Sequence, residues 1–549
     1  MRIRLFGLLC IACCTAVKVQ AQQAAGNNAA ARVARAVDSN NLRAHLEFLA
    51  DDALEGRRPG TRGGELAARY IAAEFQRMGL EPAGDSGTYY HRVPILTLTP
   101  HPAVKVLASS PLPLTYRDDY VLWSMRNDTT VNAKGDLVFV GYGIIAPENN
   151  WNDYEGTEVK NKIVVVLVND PGLRDSTIFR GPILTYYGRW TYKIEEARRQ
   201  GAAGILLVHT TESATYPWTT VQSSWTGPQV RIEEPPSSLL VAGWLSEAAA
   251  TRLFKAGGQD LSSLMDQAAR RGFRAVPLGM GLDATVHSEI ARSATANVLA
   301  RYPGHGALSR EAVMIGGHYD HFGIATPVGG DSIYNGAEDN ASGTAAVLAA
   351  AEAFTRSKVT TGRSIVFAAF TAEESGLLGS QAFVAKPTIP LSRIAAILNL
   401  DVMNLNGRTR DVSALGLDQS SLGAVFQKAA AAEGLTVSVN HDALLKGSYF
   451  RSDHFPFARA GVPGTSIENG ESYIGQPADY GEKKKDEYVA KRYHQPSDEV
   501  LPSFSYGGAV QQLRVIVRTA VGVANAPRQP TWNKTSEFRE AGEARQKGR

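Results

Sequence analysis

Six residues in five short strings could together hold divalent cations and move a proton. They are His318 in HYDH (318–321), Asp339 in GAEDNASG (336–343), Glu373 and Glu374 in TAEESG (371–376), Asp401 in NLDVMN (399–404) and His494 in RYHQPSDE (492–499). Two imidazoles and three carboxylates can serve as ligands, and one carboxylate is left over beside them. Imidazole plus carboxylate without thiolate suits zinc, or a similar divalent ion, in a site that activates water rather than one that staples a fold. The spare carboxylate could then carry the proton, which is hydrolase chemistry.

Such a site needs a scaffold that brings residues 318 to 494 together. Strand-like runs are expected at Ala296–Arg301, Ala312–Gly316, Ser364–Phe370, Ile394–Leu400, Thr436–Val439 and Val462–Ile467. Helical runs are expected at Asn340–Ser357, Gly376–Ala385, Ser421–Glu433 and Ala509–Val523. Strands alternating with helices imply an α/β fold with a largely parallel central sheet flanked by helices. Four of the five strings fall just after an expected strand or just before a helix. Ligands bind at the carboxyl ends of strands in open α/β sheets, so that edge is the place for them.

Ahead of this region, Gly63–Gly79 reads as an amphipathic helix, with Leu66, Tyr70, Ile71, Phe75 and Met78 near helical spacing. A second helical pattern begins over Asn41–Leu49. The turn string LEGRRPGT (54–61) separates them, and its Arg57 and Arg58 are expected to be structural or solvated. From about Pro100 the pattern changes to short Val/Ile-rich runs such as Asp136–Tyr142, Lys162–Val168 and Gly204–His209, read as a separate β-rich insert. His209 there is expected to be an ordinary strand-end histidine. Lys483–Arg492 is expected to be a solvated loop, and the tail after Pro527 a mobile end. The expected organisation is 1–21 leader, 22–39 spacer, 40–99 first part of the main domain, 100–283 insert, 284–526 main domain and 527–549 tail.

Of 549 residues, 44% are hydrophobic and 20% charged, the balance of a globular protein. A formal charge of +3 implies neither nucleic acid nor an anionic membrane as partner. Arg2 and Arg4, the apolar run Leu5–Val17 and Val19-Gln20-Ala21 form a secretory signal pattern, so export to the periplasm or outside the cell is expected. All three cysteines, Cys10, Cys13 and Cys14, lie in it, and cleavage after Ala21 would leave a mature chain without cysteine. Lipid anchoring at Cys13 is disfavoured because Cys10 sits where a branched aliphatic residue is usual. No other run reaches the ~20 apolar residues of a membrane span.

HYDH, GAEDNASG, EES and YHQPSDE, in this order, resemble the dizinc exopeptidases that include secreted bacterial aminopeptidases and glutamate carboxypeptidase. The resemblance covers about Asn40–Ile95 and Thr285–Ala524. KIEEARRQGAAGILLVH (193–209) is similar to the protease-associated domain often inserted in this family. The resemblance implies two Zn2+ ions: His318, Asp339 and Asp401 on one, Asp339, Glu374 and His494 on the other. Asp339 would bridge, since a carboxylate can offer one oxygen to each ion. It also implies a cis bond at Asp339–Asn340, and Asp320 accepting the second ring N–H of His318. Glu373 would be the proton carrier, and Tyr493 the hydroxyl that steadies the oxyanion. In RSDHFPF (451–457), Asp453 and His454 would orient neighbours, with Arg451 and Asp453 as candidate substrate contacts. Ser452 lacks a nucleophile elbow and is not expected to be a nucleophile. The expected substrates are peptides with a free N-terminus. Alternatives are a carboxypeptidase of the same fold, which would need a basic pocket for the terminal carboxylate (Arg451 and Arg363 are present, but the sequence does not place them), a single-zinc glutaminyl cyclase, and a metal-free binding homologue.

Overall fold

The computed structural model describes residues 28–233 and 236–548. The expected leader lies outside the described residues. The chain divides into two compact units. The first comprises the chain to Val93 with Ala294–Asn440 and Arg451–Arg549; the second comprises Pro94–Ser293 with His441–Phe450.

The first unit is built on a sheet whose centre is four parallel strands in the order Gly464–Glu468, Ile394–Asn399, Ala312–His318 and Ser364–Phe370. Antiparallel neighbours close both sides: Asp411–Leu415 beside Gly464–Glu468, and the end of the long strand Val276–Tyr302 beside Ser364–Phe370. Within Ala312–His318, Val313 and Ile315 enter one apolar core while Ala312 and Met314 enter another. A strand buried on both faces must read as a continuous apolar run, which is why these segments are legible in the sequence. The helix Ser342–Ser357 presents Ala345, Ala346, Val347, Ala349, Ala350, Ala353 and Phe354 to the larger core, its small side chains permitting close packing on the sheet. The helices Ser39–Leu49, Arg62–Arg77 and Gly507–Asn525 add to the same core.

Several expectations are corrected. Residues 28–36, read as spacer, form a helix whose Val33 and Ala34 are buried. Ala296–Arg301 is the end of the single strand Val276–Tyr302 rather than a strand of its own. Tyr480–Lys491 is a helix, not a loop; it has no buried residue and is supported by exposed pairs such as Lys483–Asp479 and Lys491–Glu487, so it carries no apolar period to read. The tail is docked: Arg545 is buried and donates to the carbonyls of Gly461 and Ile394, both at 2.8 Å, from the helix Arg539–Lys547.

The second unit combines strands with helices. Its strands Thr130–Phe139, Ile163–Leu167, Gly204–Val208 and Val241–Leu245 run parallel, with Tyr120–Ser124 antiparallel at one side. The helices Trp190–Arg199 and Glu247–Ala256 pack on them. His209 lies at the end of a strand with Nε2 on the Tyr216 carbonyl at 3.0 Å, as expected of a strand-end histidine. No helix among the described residues is long and apolar enough to cross a membrane.

Candidate metal centre

Three neighbouring parallel strands end in ligand-bearing residues. His318 closes Ala312–His318 and pairs in register with Phe370, three positions before Glu373; Gly316 of the same strand pairs with Asn399, two before Asp401. Asp339 lies in the turn Ala337–Ala341 that leads into the helix Ser342–Ser357, and its peptide bond to Asn340 is cis. His494 follows the exposed helix Tyr480–Lys491.

The side chains converge in two trios that share Asp339. His318 Nε2 is 3.3 Å from Asp339 Oδ1 and 3.3 Å from Asp401 Oδ1. His494 Nε2 is 3.3 Å from Asp339 Oδ2 and 3.4 Å from Glu374 Oε2. Two ligands at zinc bond length on a tetrahedral ion stand about 3.3–3.6 Å apart, the spacing each imidazole keeps to its two carboxylates, and His318, Asp339 and Asp401 also bring one ligand atom each within 4.8 Å of one another. Glu373 Oε2 lies 4.0 Å from His318 Nε2, outside that spacing.

Charge makes the same point. Burial, reinforced by the neighbouring carboxylates, pushes the Glu373 and Glu374 carboxyls well above the usual range. Burial acts against ionised Asp339 too, but hydrogen bonds from His318 and His494 outweigh it and hold that carboxyl well below its usual range. A cluster of buried carboxylates with two imidazoles at its centre fits a cationic counter-charge.

Surrounding groups fix the geometry. The Asp498 carboxylate accepts the backbone N–H of Glu338 at 3.1 Å and of Asp339 at 3.1 Å, and Arg492 at 3.0 Å. Ser452 Oγ donates to Asp401 Oδ2 at 2.6 Å and accepts from Asn399 Nδ2 at 2.6 Å, so the serine dismissed as a nucleophile is an anchor for a candidate ligand. His321 Nδ1 lies 2.7 Å from Glu374 Oε1. Arg57, completely buried, donates to the carbonyls of Tyr319 and Asn335 (both 2.6 Å), Gly336 (3.0 Å) and Leu49. Ala372, Val402 and His494 have φ of +53°, +57° and +58°. Left-handed backbone at non-glycine residues costs of order 1–3 kcal/mol each and gathers at functional sites, here beside Glu373, beside Asp401 and at His494 itself.

Other expected residues fall differently. The Asp320 carboxylate is 3.8 Å from His318 Nδ1, which instead faces the Asp320 carbonyl at 3.2 Å; Asp320 Oδ1 accepts the Glu373 N–H at 3.1 Å. Asp453 is fully buried, with Ser380 donating to it at 2.6 Å, and burial pushes its carboxyl up to about 7; having no exposed surface, it is not a substrate contact in this conformation. His454 is buried beside it. Arg451 is exposed. Arg363 pairs with Glu311 at 2.7 Å just before Ser364–Phe370, at the end of that strand away from Glu373. Tyr493 is 42% exposed and stacks on His494 with ring centroids 3.8 Å apart. Asp498 and His321 were present in the quoted strings but unassigned; nothing in the sequence marks Arg57 as buried.

Residues 297–515 match the sequence profile of Peptidase family M28. The chain is similar to Leupeptin-inactivating enzyme 1 of Streptomyces exfoliatus, 29% identical over 197 residues, 35% of this chain and 40% of that protein. It is also similar to a probable leucine aminopeptidase of Trichophyton verrucosum, 31% identical over 129 residues, 23% of this chain and 34% of that one. The chain thus spans well under two thirds of the length of these curated relatives. Among solved structures, an aminopeptidase from Aneurinibacillus sp. strain AM-1 matches with 18% identity and a TM-score of 0.44, over 91% of this chain and 97% of that one.

Proposed function

We propose that this chain, whose residues 297–515 match Peptidase family M28, is an exported two-zinc aminopeptidase that removes N-terminal residues from peptides. The observation that carries the reading is the sharing of Asp339: one oxygen 3.3 Å from His318 Nε2, the other 3.3 Å from His494 Nε2. His318, Asp339 and Asp401 would hold one zinc, and Asp339, Glu374 and His494 the other. Zinc bound there would supply Lewis-acid activation of water and of the peptide carbonyl.

The protein's own groups then divide the remaining work. Glu373, adjacent to the ligands yet outside their spacing, takes the proton of the attacking water on its carboxylate and passes it to the leaving amine. The Tyr493 hydroxyl donates to the oxygen on which negative charge develops. Asp401 and Glu373 offer acidic groups to the substrate's free α-amine. Asp320 accepts the Glu373 backbone N–H and so fixes the start of that turn, a supporting rather than a chemical role. The signal pattern at 1–21 supports export. The protease-associated resemblance of the insert remains part of this proposal, with no role assigned.

A carboxypeptidase would need a cation for the substrate's terminal carboxylate, and Arg363 is committed to Glu311 and to the carbonyl of Val523 at 2.8 Å. Incubation with aminoacyl-nitroanilides and with N-blocked peptides tests the choice. Release is expected only from the free-amine set, abolished by a chelator and restored by zinc. Turnover of blocked peptides alone would overturn it.

A further inference from the structure

The four residues of HYDH contain a second histidine that none of the proposed ligand sets uses. His321 is buried, and its Nδ1 lies 2.7 Å from Glu374 Oε1. The other Glu374 oxygen, Oε2, is the one 3.4 Å from His494 Nε2. His321, Asp339 and Glu374 also lie close enough together to be considered a metal trio in their own right. The spacing decides against Nδ1 as a ligand: two ligands of one tetrahedral zinc stand about 3.3–3.6 Å apart, whereas 2.7 Å is the length of an N–H···O⁻ hydrogen bond. A zinc-ligating carboxyl must be ionised and then only accepts, so with Glu374 in that state the ring proton sits on Nδ1. Nε2 is then the bare nitrogen, and it has no hydrogen-bond partner among the described residues.

Packing holds the ring in that orientation. It lies against Gly336, where a Cβ would stand 2.6 Å from the His321 Cγ and 2.2 Å from the Asp339 carbonyl oxygen, and where φ is +57°. Only glycine meets both demands, close approach and left-handed backbone.

We infer that His321 is a positioning residue: its ring N–H occupies one oxygen of Glu374, so that Glu374 presents a single oxygen to the second metal position. The inference rests on the two-zinc reading above. It has a counterpart on the other side, where Ser452 occupies Asp401 Oδ2 and leaves Oδ1 toward His318. Both terminal carboxylates are thereby held to one oxygen each, and Asp339 alone uses two.

The test is zinc binding by the metal-stripped full chain in competition with a chromophoric chelator, with circular dichroism confirming the fold. The wild type is expected to take up two zincs. His321→Leu, which keeps bulk but has no donor, should weaken one of the two sites by about 10–100-fold and leave the other unchanged, as loss of an outer hydrogen bond to a ligand does. His321→Gln, which can donate but is a poor zinc ligand, should return the weakened site to within a few-fold of wild type. Unchanged affinities in the leucine variant, or equal loss at both sites, would overturn the inference. So would a glutamine variant lacking one zinc altogether, because the imidazole would then be a ligand itself. If the leucine variant does not fold, the glutamine variant decides alone. Fewer than two zincs on the wild type would instead sink the two-zinc reading, and this inference with it.

Discussion

Arg57 Nε donates to the carbonyl of Tyr319 at 2.6 Å across 262 positions of sequence, and Tyr319 sits between His318 and Asp320. The same guanidinium holds the carbonyls of Asn335 and Gly336, at the entrance to the turn that carries Asp339. One buried cation from outside the family-matched segment thus ties the end of the strand that bears His318 to the turn that bears Asp339. Arg57→Met is predicted to leave the carbonyls of Leu49, Tyr319 and Asn335 without that donor, while Gly336 keeps the N–H of Ala341. The expected loss is about 3 kcal/mol or more, with weaker zinc retention on dialysis. Arg57→Lys should recover stability only in part, because an ammonium cannot reproduce the planar fork. Thermal melting of the metal-free chain, compared with zinc content, checks this; a methionine variant as stable as wild type would refute it.

Glu373 is predicted to act on protons and not on metal. Glu373→Gln should lower kcat by about 10²–10⁴-fold while the zinc content stays at the wild-type value. Elemental analysis beside steady-state kinetics separates the two effects, and a variant that loses metal along with turnover would contradict the assignment.

His45 offers a pH prediction remote from the centre. Burial pushes its imidazole down to about 4, with Nδ1 2.7 Å from the Tyr70 hydroxyl. The unfolded chain, with an ordinary value near ~6.5, takes up the proton first on acidification. The neutral ring's contribution is therefore fully present above pH ~6.5 and declines as pH falls toward ~4, by roughly 3 kcal/mol in all. His45→Gln removes the titration, so the stability gap between variant and wild type should narrow from pH 7 to pH 4. A gap that stays constant over that range in denaturant melts would show that His45 does not titrate in this way.

The tail gives a fourth prediction. Arg545 donates to the carbonyls of Gly461 and Ile394, and Trp532 Nε1 donates to Gly461 at 3.0 Å. Ending the chain after Pro527 should lower the melting temperature by several degrees and expose Ile394–Asn399 to faster amide exchange. Unchanged exchange there would mean that docking contributes nothing.

The central strands were legible because a strand buried on both faces must be apolar throughout, as in Ser364–Phe370, where expected and observed limits coincide. The helix Tyr480–Lys491 was not, since it buries nothing and leaves no period behind. The docked tail was hidden for a related reason: Arg545 is anchored by backbone carbonyls, which have no sequence signature.

At the centre, residue type and order were enough to nominate His318, Asp339, Glu373, Glu374, Asp401 and His494, because divalent cations demand particular donor atoms and those donors sit next to recognisable strand ends. Which oxygen of each carboxylate faces inward was beyond that reach. It depends on Ser452 beside Asp401, on His321 beside Glu374 and on Asp498 beneath the Asp339 turn. A hydrogen bond 2.6 or 2.7 Å long is a relation between two positions in space, and only the packed chain sets that distance.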